Sequence, residues 1–129
     1  MKLYRKMFSD TDAKPVVGDG RNALGVRPFD PNKPKKPHDV KAVNPTDLVS
    51  PGTGLSAYDD LGQIPAVVQG EMWVIETDDL PQQLVVHQRG GNPRHFHIEP
   101  ANGMELGEFQ DLLADTRDLW ERADEEEKP

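Results

Sequence analysis

The chain has 129 residues, a formal net charge of −8 and 35% hydrophobic residues, enough for one modest core and too little for two. It has no cysteine, which excludes a disulfide scaffold and thiolate chemistry, and no apolar stretch near the roughly 20 residues a membrane span needs. Residues 1–48 carry ten Lys/Arg against six Asp/Glu, and residues 105–129 carry three against ten. The acidic end argues against general nucleic-acid binding, while the basic first segment is either a solvated loop or suited to an anionic ligand such as a pyrophosphate.

Leu3 to Phe8 alternates Leu3, Arg5 and Met7 against Tyr4, Lys6 and Phe8, which predicts a short strand with one mixed face. From Ser9 to about Pro51 the chain is rich in Pro, Gly, Asp and Lys. Prolines lack the backbone donor and disfavour helix before them, so this stretch predicts a long loop, either functional or disordered. Gly52-Thr53-Gly54 then turns into an extended Leu55-Ser56-Ala57-Tyr58.

Met72 to Glu76 and Leu84 to His87 read as buried strands. Gly90, Gly91, Asn92 and Pro93 predict a turn into a further strand from Arg94 to Glu99, making a hairpin that Pro100 ends. Leu106, Phe109, Leu112, Leu113, Leu119 and Trp120 recur at helical spacing, predicting one long helix from about Met104 to Glu126. The last six residues, 124–129, are expected to fray. Strands followed by a helix predict a single α+β domain over residues 1–129.

Chemistry gathers in three places. Along the strand from Arg94 to Glu99, alternation sends Phe96 and Ile98 to one side and His95, His97 and Glu99 to the other. That polar row is a candidate active-site wall or a solvated edge. With His87 on the paired strand it is also a candidate metal site. Ser50 to Asp60 offers small residues and hydroxyls, without the lysine of a phosphate-binding loop. Arg5, inside the first strand, needs a partner: a ligand anion, Asp59, Asp60 or the acids of the helix. No Gly-x-Ser-x-Gly elbow is present, so serine hydrolase chemistry has little sequence support.

Leu3-Tyr4-Arg5, Gly54-Leu55-Ser56-Ala57-Tyr58-Asp59, His95-Phe96-His97-Ile98-Glu99-Pro100-Ala101 and Leu119-Trp120-Glu121-Arg122-Ala123 occur in that order. This resembles the Tse-type ADP-ribosyltransferase-like toxins delivered by bacterial type VI secretion, over about a third of the chain. The resemblance implies a small, split, twisted sheet with NAD, as substrate, in its cleft. It places Arg5 and Tyr4 at the NAD-binding strand, Ser56 and Tyr58 beside the nicotinamide ribose, and His95 and Ser56 in the catalytic set. Glu99, on the same strand face, is expected to supply the catalytic carboxylate that the superfamily usually needs. No metal is implied. The implied activity is mono-ADP-ribosyl transfer or NAD hydrolysis, restrained in the producing cell by a cognate immunity protein. Because MKLYRKMFSD has no apolar run for a signal peptide, export without a cleaved leader and action in the target cell's cytoplasm are expected. The chain departs from protein-modifying members in lacking a Gln-x-Glu or Glu-x-Glu pair.

Two other classes compete. One is a non-catalytic acidic module that meets a basic partner through Glu108, Asp111, Asp115 and Asp118. The other is a metal-dependent hydrolase built on His87, His95, His97 and Glu99.

Overall fold

The computed structural model describes residues 1–123. The chain is α+β: its described residues form a six-stranded antiparallel sheet, the α-helix Leu106–Asp115 and a second, two-stranded ladder. The strands are β1 (Lys2–Met7), β2 (Leu48–Val49), β3 (Leu55–Tyr58), β4 (Glu71–Glu76), β5 (Leu84–Gln88), β6 (His95–Pro100), β7 (Met104–Glu105) and β8 (Glu121–Arg122). The main sheet runs β5-β6-β3-β1-β4-β8, and β2 pairs with β7.

β1 begins and ends one residue before the Leu3-to-Phe8 stretch that the alternation predicted, and the hairpin of β5 and β6 stands where it was expected. Pro100 is the last residue of β6 rather than a residue beyond it. This is tolerable because Ala101 resumes the pairing, donating to the Gln83 carbonyl at 2.8 Å.

One join in the sheet is narrow. β1 pairs with β4 over six residues, from Lys2↔Glu76 to Met7↔Glu71, but with β3 only through Tyr4↔Tyr58. β3 is otherwise committed to β6, from Leu55↔Ile98 to Tyr58↔His95.

Alternation decides which face is buried. Leu3, Met7, Leu55, Ala57, Trp73, Ile75 and Ile98 enter the main core, while Tyr4 and Val74 form a smaller cluster with Ala123. The long segment after β1 is irregular, as expected, yet it is part of that core. Leu24, Val26, Val40 and Ala42 are all buried in it. Gly25 lets the segment fold this tightly, since a Cβ there would meet the Gly18 carbonyl oxygen at 1.9 Å.

The helix is shorter than the periodicity predicted. α1 covers Leu106–Asp115, a 3-10 turn follows at Arg117–Leu119, and the chain then extends into β8. The reason lies at Thr116. Its buried hydroxyl donates back to the Leu113 carbonyl at 2.6 Å and accepts from Trp120 Nε1 at 3.1 Å. That local bond competes with the helical ladder and lets fully buried Trp120 reach the core from a turn. Leu119, expected on the apolar face, is partly exposed instead. The expected end of the helix at Glu126 lies outside the described residues.

Candidate functional site

β3 and β6 bring the sequence-predicted residues together. Leu55 and Ala57 enter the core, so Ser56 and Tyr58 stand on the opposite face of β3. Pairing puts Tyr58 across from His95 and Ser56 across from His97. The close approach of the two strands is built at Gly54, where a Cβ would lie 2.2 Å from the Ile98 carbonyl oxygen.

A short diagonal contact joins the two strands on this face, between Ser56 Oγ and His95 Nε2 at 2.6 Å. His95 Nδ1 lies 2.9 Å from the Arg89 carbonyl oxygen. A carbonyl only accepts, so in the neutral imidazole Nδ1 carries the hydrogen and Nε2 offers its lone pair. Ser56 therefore donates to His95. The ring is held from both sides, by Tyr58 at 5.1 Å and by His97 edge-on at 5.0 Å between centroids.

Arg5 occupies the narrow join. Its Nη1 donates to the Ser56 carbonyl at 2.8 Å, and its Nη2 to the carbonyls of Arg21 and Ala23, each at 3.0 Å. Its partners are thus backbone carbonyls, and neither Asp59, Asp60 nor the helix acids. Its Nε is buried without an acceptor. Burial pulls the guanidinium down to about 10, with Arg27 adding to the effect and Asp39 opposing it, so it stays a cation at neutral pH.

Beside this join lies a cavity of about 200 Å³ lined by Arg5, Lys6, Arg21, Arg27, Asp39, Ser56 and Tyr58, with Ile64, Pro65 and Val68 as its apolar side. Four cations face one carboxylate across it. Asp39 is held by Arg27 in a two-pronged pair, at 3.0 Å from both Nε and Nη2, and accepts the Arg27 amide at 2.7 Å. Hydrogen bonding to Asp39 raises the Arg27 pKa further. Tyr4 stands next to the site on β1, across from Tyr58.

Glu99 shares the strand face but does not line the cavity. It is fully buried, takes Arg89 Nε at 2.6 Å and Nη2 at 2.8 Å, and accepts the Gly52 amide at 2.9 Å. Burial alone would push its pKa up, but the bonds from Arg89 and Gly52 outweigh it and hold the carboxyl below the usual range. His97 is lowered as well, but by burial and then by His95, and its Nδ1 lies 3.7 Å from Glu99. His87 pairs across from His97 on β5 and is exposed. Among the described residues, no three His, Asp or Glu side chains gather closely enough to hold a metal ion, which counts against the metal-hydrolase alternative.

Sequence reasoning missed Lys6, Arg21, Arg27 and Asp39 as cavity residues. Three of these four come from the first half of the chain beyond β1, where no periodicity tied any side chain to a place. The excess of basic residues there was the one available signal. In comparisons with known proteins, the chain matches no family model, no curated protein and no solved structure at a significant level.

Proposed function

We propose that this domain consumes NAD as an ADP-ribosyltransferase-like toxin, either transferring ADP-ribose to an acceptor or hydrolysing NAD. In this reading it is restrained by a cognate immunity protein and acts in the target cell's cytoplasm. The observation that carries it is the cation-lined cavity at the β1–β3 join, with Ser56 and Tyr58 on its wall. The sheet is continuous across that join, and this reading takes its single-pair pairing as the place of the NAD cleft.

The cations supply what a pyrophosphate needs. Arg21, Arg27 and Lys6 hold the phosphates as anions, whereas Arg5 acts chiefly as the fastener of the cleft because both its Nη atoms are spent on carbonyls. Tyr58 offers a ring face for nicotinamide stacking, and Ser56 a hydroxyl for the ribose. Breaking the nicotinamide–ribose bond develops positive charge on the sugar, which a carboxylate stabilises. The carboxylate in the cavity is Asp39. Glu99, bound by Arg89 and the Gly52 amide, keeps β6 and the preceding loop in place and thereby positions His95.

Titrating NAD into the purified protein by calorimetry tests this. Binding in the micromolar range is expected, lost in Arg21→Ala and Arg27→Ala with the circular dichroism spectrum unchanged, and weakened by added salt. A folded protein that takes up no NAD overturns the reading. The acidic-module alternative then comes first, because Glu108, Asp111, Asp115 and Asp118 are all exposed.

A further inference from the structure

Ser56 and His95 are 39 residues apart in sequence and have the arrangement of a base and its nucleophile. The hydroxyl hydrogen points to a nitrogen whose lone pair is kept available by a carbonyl on the far side of the ring. In a serine triad a carboxylate holds the histidine in this tautomer; here the Arg89 main chain does so. Arg89 itself is anchored by its side chain to buried Glu99, so the orienting carbonyl sits on a fastened loop. Ser56, and not His95, is on the cavity wall, so the serine is the member that a bound molecule meets.

We propose that Ser56 is a nucleophile activated by His95, and that it takes the acyl group of a small ester bearing an anionic group. Ser56 Oγ attacks the ester carbonyl carbon while its proton passes to His95 Nε2. The ester C–O bond then breaks, and the leaving alcohol takes that proton from His95. Water removes the acyl group from Ser56 by the same route. Arg21, Arg27 and Lys6 select the anionic part of the ester. Arg5 holds the Ser56 carbonyl through Nη1 at 2.8 Å, which fixes the main chain that carries the serine. This inference does not rest on NAD binding, and its outcome is read without NAD.

The absence of cysteine makes the test clean, because Ser56→Cys introduces the chain's sole thiol. Its alkylation by iodoacetamide at neutral pH is expected to run about tenfold or more faster in the folded protein than in urea. Adding His95→Gln should remove that advantage while the protein stays folded. The wild-type chain should form one covalent adduct with phenylmethylsulfonyl fluoride, located at Ser56 by mass spectrometry and absent from Ser56→Ala. It should also cleave 4-nitrophenyl hemisuccinate faster than 4-nitrophenyl acetate, a preference reduced by Arg27→Ala. An introduced thiol that reacts no faster in the folded than in the unfolded protein overturns the proposal. So does an alkylation rate indifferent to His95→Gln, or a preference for the neutral ester.

Discussion

Arg5 shows how one side chain can do structural work at the edge of a ligand cavity. Three backbone carbonyls converge on its two terminal nitrogens, from Arg21, Ala23 and Ser56. Truncation would leave the part-buried Ser56 and Ala23 carbonyls without their donor, so Arg5→Ala should destabilise the fold by about 2–4 kcal/mol. Arg5→Lys keeps the charge but not the planar fork, and should recover less than half of that loss. Urea denaturation of the three proteins checks both values. The sequence called for a partner for this arginine and was right to do so. It had no means of finding main-chain acceptors, because a carbonyl carries no residue signature. The same limit applied to His95. Its place on the polar face of β6 was readable from alternation, but its bond to Ser56 depends on the register of β3 against β6.

At the scale of elements, the irregular segment from Ser9 to Pro51 is held by the helix as much as it covers it. The N-terminus of α1 has no side-chain cap; the Leu106 and Gly107 amides donate instead to the carbonyls of Asp47 and Pro45, at 2.9 and 2.8 Å. Gln110 faces the other way and grips the loop at both ends of one residue. Its Oε1 accepts the Val26 amide at 2.9 Å and its Nε2 donates to the Val26 carbonyl at 2.8 Å. Gln110→Ala should cost about 1–3 kcal/mol and sharply raise hydrogen exchange at the Val26 amide, while the amides of β4 remain protected. Equal loss of protection in both would show that the loop and the sheet open as one unit. Composition marked this segment as loop, which holds except for the two-residue β2 at Leu48–Val49. Its buried Leu24, Val26, Val40 and Ala42 were illegible, because apolar residues scattered among prolines follow neither a period of two nor one of 3.6. The helix failed in the opposite sense. Leu119 and Trp120 continue its spacing, yet the Thr116 hydroxyl ends it four residues earlier.

For the molecule as a whole, two groups on β6, fully buried Glu99 and half-buried His97, shape the response to acid. Glu99 is held below its ordinary value, so it adds stability above the unfolded glutamate pKa of about 4.3 and withdraws it as the pH falls further. His97 is also lowered, and a histidine kept neutral by folding destabilises the native state once the unfolded chain begins to bind its proton, below about 6.5. Stability is therefore expected to decline in two stages on acidification. His97→Gln should flatten the first stage and leave the second. Unfolding midpoints measured in urea across this range decide it; a single decline beginning only near pH 4 would assign the whole effect to the carboxylates.

The narrow join between β1 and β3 also bears on how the chain reaches its native state. β1 is central in the sheet, yet both of its neighbours lie about fifty to seventy residues further along the chain. No local hairpin can build that centre, and among the described residues only β5 with β6 forms a contact within the main sheet over a short separation. Closing such large loops before any reward is collected makes contact order high and collapse slow, in the millisecond-to-second range for chains of this kind. The hairpin at the sheet's edge is then the natural first nucleus, and the cavity at the centre is the last part of the molecule to exist.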